Sequence, residues 1–301
     1  MRRLALKFGL AVSVCFSMSV LADTVYSFRT VIFPGDTFTQ LLGINNAGKI
    51  AGYHGSGATG HPNQGFALAL PNHFTSENFA GSVQTQVIGI NNRGNTDGFY
   101  IDAAGVNHGF INIQGTFTSI DFPNATSVLT QLLGLNDQNE AAGYWQNAAG
   151  TQFPFTVQGG VFTGLDKEGV LPSHTSAQAT GANDAGDVSG FYVDSAGVNH
   201  GFLLHNSVVT TLDFPAATLT QAFGLNNRHQ VVGIYMDAAG NTHGFLYDVT
   251  ALEFQSVNDP RAVDATTING INDVGQIVGF FVDPITGNTD GFVGRIARCI
   301  D

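Results

Sequence analysis

The stretch Gly43-Ile-Asn-Asn-Ala-Gly-Lys-Ile-Ala-Gly-Tyr53 decides the fold, because close copies of it return at regular intervals along the chain. Successive copies lie 46, 45, 47, 43 and 46 residues apart. A fixed period of this length indicates a repeat architecture in which each copy is one supersecondary unit. The five further copies begin at Gly89, Gly134, Gly181, Gly224 and Gly270.

Each unit contains four short runs in which apolar residues alternate with small or polar ones, separated by turns rich in Gly, Asn, Asp and Pro. This pattern is typical of β-strands. In the first unit the predicted strands are Thr39–Asn46, Lys49–His54, Gln64–Leu70 and His73–Phe79. The glycine that opens each motif lies inside a strand, which indicates close approach of another backbone, as near a crowded axis. The sequence therefore predicts an all-β fold.

The two ends of the repeat array predict a closed ring. The last unit, which begins at Gly270, has only three strands, and Tyr26 to Pro34 form a lone strand of the fourth type with no unit before it. Pairing the N-terminal strand with the last sheet removes two exposed edges. We therefore predict a six-bladed β-propeller with four strands per blade, formed by residues 23–301 as a single domain.

The N-terminal residues resemble a secretory signal peptide. Arg2, Arg3 and Lys7 precede the apolar run from Phe8 to Ala22, and Val20-Leu21-Ala22 fits a cleavage site before Asp23. The run is shorter than the roughly 20 residues that span a bilayer as a helix. We expect residues 1–22 to be removed and the protein to be secreted or periplasmic, with no membrane insertion.

The charge of the chain restricts the partners that it can have. Loss of residues 1–22 removes three basic residues and no acidic one, which lowers the net charge from −12 to −15. Such a charge disfavours nucleic acid, which attracts basic proteins. The mature chain keeps only Cys299, so no internal disulfide can form. We expect a monomer whose partner is a small molecule or a glycan.

The repeat resembles a bacterial extracellular family. The Gly-x-Asn hairpin followed by His-Gly-Phe is similar to the HAF repeat, with Gly where the family name has Ala. The resemblance covers nearly the whole mature chain, but Gln64, Phe153 and Asp290 stand in the His place. It implies export and repeat architecture, and it carries no catalytic residue over to this chain.

A set of glutamines forms the first candidate ligand-binding site. Each lies three residues before a motif glycine, at the start of the innermost strand, where propeller geometry gathers side chains at one channel mouth. They either bond the backbone of the neighbouring blade or face water as a neutral collar for a sugar or hydrated cation. The glutamines are Gln40, Gln86, Gln131, Gln178 and Gln221, with Thr267 in the sixth place.

Two interblade loops depart most from the repeat and form the second candidate site. The segment from Asp166 to His174 supplies Asp166, Glu168 and His174 as candidate catalytic residues. The segment from Asp259 to Asp264 supplies Asp259 and Asp264 as candidate metal ligands and Arg261 as a candidate ligand-binding residue. Ca²⁺ is the cofactor that these carboxylates can hold. The alternative is that they are solvated loop charges.

Other recurring polar residues have a structural interpretation. The pairs Asp102 and His108, Asp194 and His200, and Asp237 and His243 each span one hairpin, and a ring places the pairs far apart. We expect them to be hydrogen-bonding groups of turns and strand ends. Trp145 replaces the usual Tyr or Phe and is expected in the core or rim.

Two hypotheses for the function remain. The first is an exported module that binds a glycan, a surface polymer or a partner protein at the channel mouth. The second is a Ca²⁺-dependent hydrolase of lactones or esters that uses carboxylates and His of the interblade loops. Sequence motifs of common hydrolases and nucleotide-binding proteins are missing from the chain.

Overall fold

Frequent turn residues divide the chain into short strands. A computed structural model describes residues 25–124, 126–166, 170–263 and 265–297. These residues form six four-stranded antiparallel sheets around a central axis, and the predicted six-bladed β-propeller is confirmed. Among them, no helix has the length and hydrophobicity needed to span a bilayer. The predicted signal peptide, its cleavage before Asp23, and Cys299 lie outside the described residues.

The strands follow one another from the axis outward in each blade. Blade 1 contains β2 (Thr39–Ile44), β3 (Lys49–His54), β4 (Gln64–Ala69) and β5 (His73–Ser76), and blade 2 contains β6 (Gln84–Ile90), β7 (Thr96–Ile101), β8 (Asn107–Ile113) and β9 (Thr116–Ile120). Blade 3 contains β10 (Ser127–Leu135), β11 (Ala141–Asn147), β12 (Gln152–Gln158) and β13 (Val161–Gly164), and blade 4 contains β14 (Ser176–Ala182), β15 (Val188–Val193), β16 (Asn199–His205) and β17 (Val208–Leu212). Blade 5 contains β18 (Leu219–Leu225), β19 (Gln230–Met236), β20 (Thr242–Asp248) and β21 (Glu253–Val257), and blade 6 contains β22 (Thr266–Ile271), β23 (Ile277–Val282), β24 (Thr289–Ile296) and β1 (Tyr26–Val31).

The N-terminal strand closes the ring. Strand β1 pairs antiparallel with β24 in a register that runs from Tyr26 opposite Ile296 to Val31 opposite Gly291. It is thereby the outermost strand of blade 6, in the order β1-β24-β23-β22. The edge of the last blade is paired, as the arrangement of the two chain ends predicts.

Glycines allow the innermost strands to meet at the axis. A Cβ added to Gly43 would lie 2.7 Å from the Ile88 carbonyl oxygen, and one added to Gly134 would lie 2.8 Å from the Gly181 Cα. Real side chains do not tolerate such contacts with backbone, so the motif requires glycine here for close approach. The predicted crowding near the axis is therefore present.

Phenylalanines of the third strands form the core between blades. Each follows the glycine of the His-Gly-Phe motif or the residue in its place, which is Pro154 before Phe155. Each is fully buried, which contributes roughly 1.5–3 kcal/mol per side chain. They are Phe66, Phe110, Phe155, Phe202, Phe245 and Phe292. Trp145 is 9% exposed and lies between Phe122 and Phe153, with ring centroids 5.2 and 4.2 Å away. The expectation that Trp145 belongs to the core is confirmed.

Candidate functional site

The central channel is wide at one end and narrow at the other. The wide end lies where the innermost strands begin, beside the interblade loops, and the narrow end lies at the Asn-containing hairpins. Cavities of about 210, 90 and 70 Å³ follow one another from the wide to the narrow end. The wide cavity takes residues from all six blades: Gln40, Leu42 and Tyr53, Gln86, Ile88 and Phe99, Leu133, Gln178 and Thr180, Phe223, and Asn269.

The predicted glutamine collar divides into two groups. Gln40, Gln86 and Gln178 line the wide cavity, whereas Gln131 and Gln221 do not. The Gln131 amide donates to Asn107 Oδ1 at 3.2 Å, and the Gln221 amide donates to Asn199 Oδ1 at 3.0 Å. These bonds join each glutamine to the preceding blade. Of the two predicted roles, both residues therefore have the one in which the amide bonds to a neighbouring blade, although the acceptor is a side chain and not the backbone.

Two glutamines of the cavity wall are also held by neighbours. Gln178 Nε2 donates to Gln152 Oε1 at 2.9 Å, and the Tyr53 hydroxyl donates to Gln40 Oε1 at 2.6 Å. Burial raises the pKa of Tyr53 well above its usual value, so the phenol stays neutral. The wall therefore presents fixed, uncharged hydrogen-bonding groups.

Two polar groups of the wide cavity lack partners. Within the described residues, nothing hydrogen-bonds the Gln86 amide, and Asn269 Oδ1 is buried without a partner. A buried polar atom left unsatisfied costs about 1–3 kcal/mol. Asn269 stands where the other blades carry Leu42, Ile88, Leu133, Thr180 and Phe223. Sequence reasoning missed Asn269, although this departure from the repeat was a usable signal.

Two hydrogen-bonded rings encircle the narrow end. In the first, an Asn side-chain amide of each blade donates to the backbone carbonyl of the equivalent Asn in the next blade, at 2.9–3.2 Å. In the second, the next residue's N–H donates to the side-chain oxygen of its equivalent, at 2.6–2.9 Å. The first ring consists of Asn45, Asn91, Asn136, Asn183, Asn226 and Asn272, and the second of Asn46, Asn92, Asp137, Asp184, Asn227 and Asp273.

The candidate catalytic residues of the first interblade loop bond to groups of the same loop. His174 Nε2 lies 2.7 Å from Asp166 Oδ1, and its Nδ1 lies 2.7 Å from the Pro172 carbonyl oxygen. The structure thus brings Asp166 and His174 together, with both imidazole nitrogens occupied. Glu168 lies outside the described residues.

The second interblade loop forms a separate ion pair. Arg261 Nη2 lies 2.6 Å from Asp259 Oδ2, and Asp259 is 1% exposed. The guanidinium also contacts Thr30 of β1 and lies 5.3 Å from the centre of the Phe281 ring. Asp259 and Arg261 thus bond each other and the closing strand, and Asp264 lies outside the described residues. None of the described hydrogen bonds or ion pairs joins this loop to Asp166 or His174.

The recurring His and Asp pairs are structural, as expected. His243 Nε2 lies 3.1 Å from Asp237 Oδ2, and the His243 ring stacks on Tyr235. Hydrogen bonds from the Asn241 N–H and from His243 lower the pKa of Asp237 to about 2. His108 and His200 make the same contacts with Asp102 and Asp194, at 3.4 and 3.5 Å.

At the wide end, beside blade 1, a serine hydroxyl lies within hydrogen-bonding distance of a histidine, which in turn bonds to an aspartate. Ser56 Oγ is 3.1 Å from His61 Nδ1, and His61 Nε2 is 3.0 Å from Asp36 Oδ1. Burial raises the pKa of Asp36, but hydrogen bonds from His54, Phe38 N–H and His61 outweigh it and hold the pKa below its usual value. The sequence did not reveal this arrangement, because Asp36 lies 20 residues or more before Ser56 and His61.

Asp97 is a buried carboxyl beside the axis. It is fully buried in β7, where its Oδ1 accepts the Gly89 N–H at 2.8 Å and its Oδ2 has no partner. Burial raises the pKa of Asp97 to about 7, against the opposing effect of backbone hydrogen bonds from Gly89 and Gly134. The carboxyl is thus protonated at mildly acidic pH and ionised at mildly alkaline pH.

Comparison with known proteins shows the fold alone. No family model and no curated protein matches the sequence. A six-bladed β-propeller lectin from Aleuria aurantia is 10% identical with a TM-score of 0.52, over 84% of this chain and 90% of the lectin. A putative TolB from Agrobacterium tumefaciens is 12% identical with a TM-score of 0.58, over 85% of this chain and 89% of that protein. TolB from Acinetobacter baumannii is 10% identical with a TM-score of 0.51, over 87% of this chain and 65% of that protein.

Proposed function

We propose that this protein is an exported binding module that captures a small neutral solute rich in hydroxyl groups, such as a terminal sugar ring of a glycan, in the wide cavity. The observation that carries the proposal is the pair of unpartnered polar groups, Gln86 and Asn269 Oδ1, in a wall whose other polar side chains are already hydrogen-bonded. Ligand sites in proteins combine mostly apolar walls with a few placed polar groups.

The chemistry of the wall favours an uncharged ligand. The lining residues are amides, a phenol, a threonine and aliphatic or aromatic side chains, and none carries a charge. A hydroxyl donated to Asn269 Oδ1 would relieve its unsatisfied state, while the Gln86 amide can both donate and accept. The Phe99 and Phe223 rings offer apolar surface for the C–H faces of a ring-shaped solute.

The fold is compatible with this proposal. A mutant of the Aleuria aurantia lectin was solved in complex with alpha-methyl-L-fucoside. At 10% identity that likeness transfers no binding residue. The argument therefore rests on this chain's own cavity, and the predicted export would place it where glycans and surface polymers occur.

The experiment is ligand-observed NMR with a panel of neutral monosaccharides and polyols, with charged sugars for comparison, followed by titration of any binder. Gln86→Met keeps the side-chain length and removes one hydrogen bond of about 0.5–1.5 kcal/mol, a roughly two- to tenfold loss of affinity. Gln158→Met, at the exposed end of β12 and far from the axis, is the matched control and should bind as the parent does.

Asn269→Leu gives a sharper test because its two effects have opposite signs. It restores the residue type of Leu42 and Leu133, so the free protein should become more stable while binding weakens. Binding that is unchanged in both cavity variants, or a panel with no binder, would refute the proposal.

The Ser56, His61 and Asp36 arrangement favours a second candidate function, the hydrolysis of small esters. Its distances match a nucleophile, a general base and an orienting carboxylate. Ser56 Oγ would attack the ester carbonyl as its proton passes to His61 Nδ1, and that proton would leave with the alcohol. Water would then hydrolyse the acyl-serine and return the proton through His61.

Active-site labelling distinguishes this candidate from binding alone. A fluorophosphonate probe should modify Ser56 in the parent and fail in Ser56→Ala and His61→Ala, as read by peptide mass spectrometry. Hydrolysis of p-nitrophenyl acetate should fall in the same variants and persist in Gln86→Met. Labelling of another serine, or a rate unchanged in Ser56→Ala, would eliminate the candidate.

A further inference from the structure

Three potential metal ligands meet at the narrow-end face, away from the axis. Asp187 precedes β15, His205 ends β16, and His229 lies in the turn before β19 of the next blade. One ligand atom from each lies within 4.8 Å of the other two. The Asp187 side chain is 2% exposed, whereas His205 and His229 are 34% and 36% exposed. A buried carboxylate thus lies beneath two accessible imidazoles.

Both imidazoles direct the same nitrogen at the carboxylate. His205 Nδ1 is 2.8 Å from Asp187 Oδ1, and His229 Nδ1 is 3.0 Å from Asp187 Oδ2. The two ring centres lie 5.0 Å apart, and the ring planes are inclined at 72°. Asp187 is also fixed by the Asn183 amide, which donates to Oδ2 at 2.9 Å. The ligand atoms are therefore gathered and oriented before any ion arrives.

The fold does not require these histidines. The position of His229 is Gly48, Gly94, Gly186 and Gly275 in four other repeats, and His229 has a positive φ of 56°. Glycine adopts this conformation most readily, and Asn139 adopts it in the remaining repeat, so the backbone here does not call for a histidine. The position of His205 is occupied by Ala69, Ile113, Gln158, Asp248 and Arg295 in the other blades. At the junction between blades 4 and 5, residues that the repeat does not specify thus place two histidines against one carboxylate.

We propose that Asp187, His205 and His229 bind a divalent transition-metal ion of the zinc type, with water completing the coordination. Imidazole nitrogens favour Zn²⁺, Ni²⁺ or Cu²⁺ over Ca²⁺ and Mg²⁺, which prefer oxygen ligands. Coordination through Nδ1 uses the tautomer of each imidazole that carries its proton on Nε2, so the ion would take the place between each Nδ1 and the carboxylate. Since His205 and His229 belong to different blades, the ion would also link blade 4 to blade 5.

Asn206 lies beside the second ring nitrogen of one of the three ligands. Asn206 Nδ2 lies 2.8 Å from His205 Nε2. When Nδ1 binds a metal, Nε2 carries the proton and needs an acceptor, as in most histidine ligands. A half-turn of the Asn206 amide presents its oxygen at the same place.

Zinc titration of the untagged mature protein tests the proposal. Calorimetry should give one Zn²⁺ per chain, and Co²⁺ should give the visible absorption of a tetrahedral nitrogen and oxygen site. His229→Gly should lower the affinity at least tenfold without unfolding the protein, because it restores the residue of four other repeats.

The matched control is His243→Ala, which removes an equally paired histidine from the opposite face. It should leave Zn²⁺ binding and the Co²⁺ spectrum unchanged. The parent should also melt at a higher temperature with Zn²⁺ than without it, and His229→Gly should not. Failure of the parent to bind Zn²⁺, or equal binding by parent and His229→Gly, would overturn the proposal.

Discussion

Replacement of Asp97 by Asn should remove a pH-dependent loss of stability. The Asp97 pKa is 3.8 in the reference state and about 7 in the folded protein, because burial disfavours the charged form. Between these values the folded state binds more protons than the unfolded state, so the free energy of unfolding falls as the pH rises through this window. Each pKa unit corresponds to about 1.36 kcal/mol, which gives a loss on the order of 4 kcal/mol by pH 8.

The assay is urea unfolding of the parent and Asp97→Asn at pH 4, 6 and 8. Other titrating groups are common to both proteins, so the difference between the two unfolding free energies isolates Asp97. That difference should be small at pH 4 and should grow in favour of the variant by several kcal/mol at pH 8. Asp248→Asn, at a turn in the outer part of blade 5, is the control and should show no such growth. A difference that does not change with pH would refute the reasoning.

Two further substitutions test the interblade contacts. Asn136→Ala removes the bond to the Asn183 carbonyl, two bonds from backbone N–H groups of its own turn and a long bond to the Glu140 side chain. At about 1 kcal/mol for each of the three shorter bonds, it should lower the unfolding free energy in urea by roughly 3 kcal/mol. A change below about 0.5 kcal/mol, the lower limit for one hydrogen bond, would contradict a role for the ring. Arg261→Met leaves Asp259 buried without its partner and should cost about 3–5 kcal/mol, measured by the same unfolding curves. Arg261→Lys should recover part of that loss, and equal stability of all three proteins would contradict the ion pair's role.

The fold was predictable from the sequence because the residues that determine it recur at equivalent positions of the repeats. The close approach at the motif glycines and the pairing of the N-terminal strand each follow from spacing and residue type. Strand ends were less accurate, since β5 ends at Ser76 where Phe79 was predicted. Local turn chemistry does not specify where pairing stops when the next residues leave the sheet for an interblade loop.

The site was predictable only in part. The glutamine positions were correct for the wide cavity at Gln40, Gln86 and Gln178, but the sequence could not show which amides are consumed by bonds between blades. The sequence shows the Asn residues of the two rings only as turn residues. Their hydrogen bonds to the next blade could not be predicted, because partners 43–47 residues apart along the chain become neighbours only after the blades assemble. The charged residues of the interblade loops are easy to recognise in the sequence as departures from the repeat. The single replacement at Asn269 is less conspicuous, and His205 and His229 become neighbours only when blades 4 and 5 pack together.

Amide hydrogen exchange of the N-terminal strand tests the central claim most directly. The wide cavity is assembled from all six blades, so it exists only if β1 closes the ring. The amides of Tyr26–Val31 that bond to β24, about half of those in this edge strand, should be protected, and they should lose protection together with β24 in urea. Rapid exchange of Tyr26–Val31 in a protein whose other blades remain protected would show that the ring is open and would contradict the cavity and the function proposed for it.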